Sequence, residues 1–440
     1  MVRINLDSAG SVLPSLVSAL KTTLPAKNLL LLRKIVKEAE KQSLPLYLVG
    51  GFVRDLLLGR PSMDLDLVLE GDAIQFGRRL VRLFGGNLVP HKDFGTAVWW
   101  LAAGRKQPTP QLAFIDLISA RSETYAQPAA LPRVARAEIS ADQFRRDFTI
   151  NTLALALNGL QSGRVLDPWG GVRDLNSRLI RVLHPLSFVD DPTRIFRGLR
   201  LAGRLEFRLE TSTLRHLQAA LPKLKLLSGE RLRNELELVL AEPKRVEVLQ
   251  SLQFFGALAQ IDKHLRFFPK VAALLSKDSK PIPKIWGLDQ VSPSQLGFVL
   301  WFMHLPAKSV DRIAASLRFE ADLHAAVVGS SRLLAESDAL RSMPASRLVP
   351  RLEQEPLLST YALFLLVRGT PLGKKLEKFA RDWRHVQPLA DGNTLKKRGL
   401  RPGPAYTLIL AQLRAARLDG KVRTAKQESA LLEKLIYEHR

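Results

Sequence analysis

Residues 49–70 read VGGFVRDLLLGRPSMDLDLVLE. A Gly-Gly pair ends the apolar run LPLYLV at 44–49, and FVRDLLLG follows with helical spacing as far as Gly59. MDLDLVLE then reads as a strand with Asp64 and Asp66 one residue apart. In a strand such residues project from one face, while Met63, Leu65 and Leu67 point to the other. Two parallel carboxylates repel unless a cation lies between them or one keeps a proton. Mg²⁺ is a hard ion that takes few protein carboxylates and fills its shell with phosphate and water. A solvated aspartate pair at a strand end would show the same pattern without chemistry. The glycines favour the chemical reading. Gly50 and Gly51 stand between strand and helix, where backbone N–H groups and the helix dipole receive an anion, and Arg54 is one turn further on. The arrangement suits a triphosphate beside a metal, and no G-x-x-x-x-G-K-[ST] loop occurs.

The chain has 440 residues, too many for one core, and is 46% hydrophobic and 25% charged. It has no run of about 18 apolar residues that would span a membrane. The start, MVRINLDSAGSVLP, lacks the apolar core of a secretory signal. Absence of cysteine rules out disulfides and thiolate metal sites and fits a cytoplasmic protein. A formal charge of +24 points to a polyanionic partner, nucleic acid before membrane, because no single basic amphipathic helix dominates.

The spacing predicts a helix over 28–42, a helix over AIQFGRRLVRLFG, and strands at TAVWWLAA and LAFIDLIS with a turn at 104–110 between them. After about residue 170 helical patterns take over: SGERLRNELELVLA, SQLGFVLWFMHL, SVDRIAASLRF, LHAAVVGSSRLLAES and AYTLILAQLRAARL. KDSKPIPK at 277–284 reads as an exposed connection. The fold class expected is α+β, a small mixed-sheet head followed by an all-α region.

Four further stretches follow the first. They are RRDFTINTLAL (145–155), DPWGGVRDL (167–175), DDPTRIFRGLR (190–200) and SGERLRNEL (228–236). In this order the five motifs resemble those of class II nucleotidyltransferases, the family of tRNA CCA-adding enzymes and bacterial poly(A) polymerases within the DNA polymerase beta superfamily. GLRPGPAYTLILAQLRAARLDGKV near the end also resembles the tail of many bacterial members. The resemblance implies an N-terminal helix and nucleotidyltransferase head over 1–168, a helical neck over 169–240, a helical body over 241–330 and a basic tRNA-binding tail over 331–440. It implies Mg²⁺ held by Asp64 and Asp66, with Asp116 in AFIDLIS a candidate third ligand or an ordinary strand-end aspartate. It gives Arg146 a phosphate or nucleotide contact and Asp147 a ribose contact, with Asn151 in the same motif. Gly50, Gly51 and Arg54 complete the nucleotide cradle.

Asp191 and Arg194 are three apart, neighbours on one helical face. A carboxylate accepts from an exocyclic amino group and a guanidinium donates to a ring nitrogen. Cytosine and adenine present that edge; uracil and guanine carry a carbonyl in place of the amino group. Asp191 before Pro192 also has the look of a helix N-cap. Arg197 and Arg200 continue the ladder, but Arg200 turns about 180° from Asp191 at helical pitch and suits the neck or phosphates better than the base. One departure is Asp190-Asp191 where family members commonly carry Glu-Asp. ISARSETYAQPAALP (118–132) resembles the flexible loop of CCA-adding and A-adding members, and its Ala/Pro content fits a mobile connection. Between Lys396 and Lys426 nine Lys/Arg stand against one acid, so Lys396, Lys397, Arg398 and Arg401, with Tyr406 near, are expected to grip phosphates. A solvated basic face is the plain alternative. The function expected is CCA addition to the tRNA 3′ end from CTP and ATP. Alternatives are an A-adding enzyme, a poly(A) polymerase or a non-catalytic RNA-binding relative.

Overall fold

The computed structural model describes residues 20, 23–101, 112–277 and 281–439. The turn expected at 104–110, the segment MVRINLDSAGSVLP and residues 278–280 of the connection expected at 277–284 lie outside the described residues. The chain divides into two units, Met1–Leu227 and Ser228–Arg440, and the division falls inside the stretch 169–240 read from sequence as one neck.

The first unit is built on a seven-stranded sheet of order β3-β4-β5-β2-β1-β8-β9. Its strands are β1 (Leu46–Val49), β2 (Asp66–Leu69), β3 (Asn87–His91), β4 (Thr96–Trp100), β5 (Phe114–Ser119), β8 (Ala154–Ala156) and β9 (Val165–Leu166). β2 and β5 run parallel and every other neighbouring pair is antiparallel, which makes the sheet mixed. β1 sits inside the sheet and is buried on both faces, so LYLV reads as an unbroken apolar run. Tyr47, Val49 and Val68 form a cluster with Ala154 and Ala156, while Leu46, Leu48, Leu67 and Leu69 are buried at the alternate positions. The helix Ala73–Phe84 starts where Asp72 Oδ1 accepts from the Gln75 N–H at 2.9 Å, and it buries Phe76 and Leu80.

Two expectations are corrected here. The strand expected over MDLDLVLE begins only at Asp66. Asp64 belongs to the extended lead-in, beside Leu65, whose carbonyl accepts from the Asp116 N–H at 3.1 Å. That bond carries the alternation past the strand end: Leu65 and Leu67 are buried, Asp66 half-buried and Asp64 exposed. The mobile connection expected at 118–132 holds regular structure. After β5, β6 (Arg121–Thr124) pairs antiparallel with β7 (Arg133–Arg136), with Arg121 opposite Arg136 and Glu123 opposite Val134. The Ala- and Pro-rich piece is confined to the link between these strands.

The second unit is helical. Pro293–Phe302 carries apolar side chains all round, and Leu296 to Phe302 are all buried, the pattern of a helix at a core centre. A capping box between Ser292 and Gln295 starts it. The last three helices, Gly392–Lys397, Pro404–Leu418 and Ala425–Glu438, close over their own apolar cluster, which includes Leu395, Leu400, Ile409, Leu413, Leu432 and Leu435. Among the described residues no helix is long and apolar enough to cross a membrane. The motif SGERLRNEL opens the helix Gly229–Ala241, with Ser228 Oγ accepting from the Arg231 N–H at 3.3 Å. A Cβ on Gly229 would sit 1.8 Å from the Ser316 carbonyl oxygen, so only glycine allows this approach. Gly229→Ala is therefore expected to lower the unfolding free energy by about 1–3 kcal/mol, read from urea melts, and an unchanged midpoint would contradict the close approach.

Candidate active site

Between β1 and the helix Gly51–Leu57, Gly50 takes φ +68°, and its N–H donates to the Leu153 carbonyl at 3.1 Å. This sharp turn opens a cavity of about 490 Å³ in the first unit. Gly50, Gly51 and Arg54 line it on one side, Asp64 and Asp66 on another, and Arg146, Asp147 and Asn151 on a third. Asp191, Arg194 and Arg197 close it from the start of the helix Thr193–Leu205. Residues spread over nearly 150 positions of sequence thus meet in one place.

The carboxylate corner is electrostatically crowded. Burial pushes the Asp66 carboxyl up to about 6, with Arg146 opposing and the charges of Asp116, Asp64 and Asp142 adding to the rise. Asp116 lies opposite Asp66 in the parallel β2–β5 register. Its carboxyl is raised by burial and by Asp64, but it is not part of the cavity wall. Among the described residues no group of three or more His, Cys, Asp or Glu side chains gathers closely enough to hold a metal ion. The cavity therefore offers a pair of carboxylates, with Asp116 in electrostatic reach behind them.

Behind the carboxylates runs a chain of hydrogen bonds. Arg54, 3% exposed, donates from Nε and Nη2 to the Asp55 carboxylate, both at 2.9 Å, and from Nη1 to Asn151 Oδ1 at 2.6 Å. Asn151 Nδ2 donates to Asp147 Oδ1 at 2.9 Å, which also accepts from the Phe148 N–H. Asp147 Oδ2 takes both Nε and Nη2 of Arg197, at 2.9 and 2.7 Å. Burial alone would raise the Asp147 carboxyl, but the Arg197 guanidinium, Asn151 and Arg194 outweigh it and hold the group well below the usual carboxylate range. Arg54 and Asp147, read from sequence as substrate contacts, are thus occupied with their neighbours. Beside this chain, Arg146 pairs with fully buried Asp142 at 2.9 Å and reaches toward the Asn151 carbonyl.

In the helix Thr193–Leu205, Arg194 is 5% exposed and donates to Ser187 Oγ at 2.6 Å and to the Arg145 carbonyl at 2.8 Å. Asp191 Oδ1 accepts from the Thr193 N–H at 3.2 Å and from Thr193 Oγ1 at 2.7 Å. The helix itself begins at Thr193 after Pro192, one residue later than the cap read from sequence implied, yet Asp191 still holds the first N–H of the helix and lines the cavity as well. Arg200, further along the helix, is outside the cavity wall.

Sequence reasoning missed one wall. Arg121, Glu123 and Tyr125, from β6 and the residue after it, line the cavity. Glu123 Oε1 accepts from Arg121 and from Arg145 Nη1, and the Tyr125 hydroxyl donates to Glu123 Oε2 at 3.0 Å. Burial, reinforced by Glu123, pushes the Tyr125 phenol up to about 12. Because Ser122 and Thr124 between these residues are polar too, the stretch RSETY shows no apolar–polar alternation, and only its pairing with β7 marks it as a strand. The tail cations lie in the second unit. Lys396, Lys397, Arg398 and Arg401 are all exposed, and Arg398 pairs with Glu433 at 2.7 Å. The Tyr406 hydroxyl donates to the Leu400 carbonyl at 2.8 Å, within the tail itself.

Residues 46–181 match the family model described as the poly A polymerase head domain. Residues 206–268 match the one described as the probable RNA and SrmB-binding site of polymerase A. The chain is 31% identical to the A-adding tRNA nucleotidyltransferase of Halalkalibacterium halodurans, over 97% of this chain and 96% of that protein. It is 33% identical to the A-adding enzyme of Geobacter sulfurreducens over 94% of this chain but 47% of that protein, so it spans about half the length of that relative. The structure of the Thermotoga maritima CCA-adding enzyme complexed with tRNA superposes with a TM-score of 0.71 and 28% identity, covering 97% of this chain and 98% of that one. A mixed-sheet head with paired carboxylates facing a nucleotide-sized cavity defines a nucleotidyltransferase. The chain belongs to the tRNA nucleotidyltransferase family, as its ordered motifs imply.

Asn151 is the link that can be cut without touching a charge. Asn151→Ala would leave a buried donor of Arg54 without its acceptor. A loss of about 1–3 kcal/mol in unfolding free energy is expected, and full stability in urea melts would contradict the coupling.

Proposed function

We propose that this chain adds AMP to the 3′ end of tRNA, with the protein itself choosing the base. The observation that carries this reading is that the carboxylate pair and the selecting pair Asp191/Arg194 line one cavity. Asp64 and Asp66 fit a hard divalent cation such as Mg²⁺. They are oxygen donors in a crowded corner, where Asp66 is raised to about 6 and a cation would relieve the repulsion. Bound there, the ion would lower the pKa of the RNA 3′-hydroxyl and neutralise charge on the triphosphate. The protein's own groups do the remaining work. The backbone at Gly50–Gly51 and the guanidinium of Arg146 receive phosphate oxygens. Asp191 accepts from the adenine amino group, and Arg194, held by Ser187 and the Arg145 carbonyl, donates to the ring nitrogen. The exposed cations Lys396, Lys397, Arg398 and Arg401 grip the tRNA backbone.

Terminal A addition is the finer reading, because relatives that carry that name align over nearly the whole chain. Complete CCA addition is the second reading, favoured by the likeness to the Thermotoga maritima enzyme, since the base edge read by Asp191 and Arg194 is shared by cytosine and adenine. The test is incubation with tRNA transcripts ending before C74, before C75 and before A76, each NTP supplied singly. Extension of the last transcript alone, by ATP alone and in wild type but not in Asp66→Ala, is the expected result. Extension of the shorter transcripts by CTP would establish the second reading, and no extension of any would overturn both.

Asp191 carries two roles that a single substitution separates. Asp191→Asn keeps Oδ1 for the helix cap while placing an amide donor where the carboxylate met the base. Stability is expected to change by less than about 0.5 kcal/mol, against about 1 kcal/mol lost in Asp191→Ala. Discrimination against GTP and UTP is expected to fall roughly tenfold to a hundredfold in kcat/KM. Unchanged discrimination in Asp191→Asn would leave Asp191 with the cap alone.

A further inference from the structure

The cavity accounts for the incoming nucleotide but not for a row of rings beside it. Phe144 is the last residue of the helix Ile139–Phe144, and the next two residues, Arg145 and Arg146, line the cavity. Phe144 is 45% exposed, unusual for a phenylalanine so near a folded site. It packs against Trp169, at 5.0 Å between centroids and 35° between planes, and against His184, at 5.6 Å and 35°. The Trp169 Nε1–H is buried without a hydrogen-bond partner. On the far side, His184 Nε2 is 3.9 Å from Asp190 Oδ2 and within electrostatic reach of Arg194, so the row ends against the selecting motif. Arg173, four residues beyond Trp169, has a side chain 72% exposed.

We propose that Phe144, supported by Trp169 and His184, is a stacking platform for an unpaired base of the RNA acceptor just upstream of its reacting end. This rests on the reading of the chain as an enzyme that extends tRNA. A 3′-hydroxyl brought to Asp64 and Asp66 trails a single strand whose bases have lost their pairing partners. Each offers a π-face, and an aromatic platform receives any base because it reads no hydrogen-bond edge. The exposed Arg173 supplies a cation for a neighbouring phosphate, which a purely apolar protein partner would not need. Phe144 is then a positioning residue: it holds the primer strand in line and makes no contact with the reacting atoms.

The test uses the full chain and tRNA transcripts carrying 2-aminopurine at either of the last two unpaired positions. Wild-type protein is expected to change the fluorescence at one of them by stacking. Phe144→Ala and Phe144→Leu are expected to lose that change and to raise KM for the transcript by about fivefold to a hundredfold, with KM for ATP and the melting temperature kept. Phe144→Tyr should restore both, which a merely apolar contact would not require. Full fluorescence change and unaltered RNA KM in Phe144→Leu would overturn the platform, as would an equal rise in KM for ATP. A wild-type protein that extends tRNA with no fluorescence change at either position would overturn the platform and leave the functional reading intact. A fluorescence change lost in Phe144→Leu, from a protein that extends no transcript, would overturn the functional reading and leave the platform standing.

Discussion

The guanidinium of Arg54 is the charge on which the site depends. It is almost wholly buried, and a charge in that position is tolerated only when its donors are met by well-placed acceptors. Asp55 meets two of them and Asn151 a third. Asn151 passes the constraint to Asp147, and Asp147 fixes Arg197 on the helix that carries Arg194 and follows Asp191. The glycine turn, the second motif and the helix Thr193–Leu205 are therefore locked in one register. Removing one partner leaves the others paired wrongly inside the protein, where repair by water is poor.

That lock explains a division of labour that residue types alone conceal. Arg54 and Asp147 have the chemistry of ligand contacts but spend it on one another's neighbours. Arg146, Arg194 and Asp191 line the same cavity and are likewise partly committed to protein partners. Asp191 shows how one carboxylate serves twice. One oxygen holds the N–H and hydroxyl of Thr193, the first residue of the helix, and the same side chain lines the cavity.

Much of this was open to reading before any coordinates. Gly50-Gly51 with Asp64 and Asp66 announced a turn and a carboxylate pair, because strand period and glycine conformational freedom are local properties. The apolar stretch QLGFVLWF announced a central helix by the same local reasoning. The Glu123–Tyr125 wall was not read, since the Ala- and Pro-rich link beside it dominated the composition and β6, RSET, is polar at every position and carries no alternation. The internal commitments of Arg54 and Asp147 were not readable at all, because their partners lie up to 97 residues away and only the tertiary fold brings them together. The strand end at Asp66 escaped for a smaller reason: pairing with β5 defines it, and pairing is non-local.

The central claim is that the protein, not the RNA, reads the base, through Asp191 and Arg194 held in place by the buried network. Its most direct test is calorimetric titration of the four NTPs, with Mg²⁺ present and no RNA in the cell. The account predicts that ATP binds more tightly than GTP and UTP by roughly tenfold or more, since Asp191 and Arg194 are already held at the cavity in the free protein. Equal affinity for ATP, GTP and UTP in the absence of RNA would contradict it.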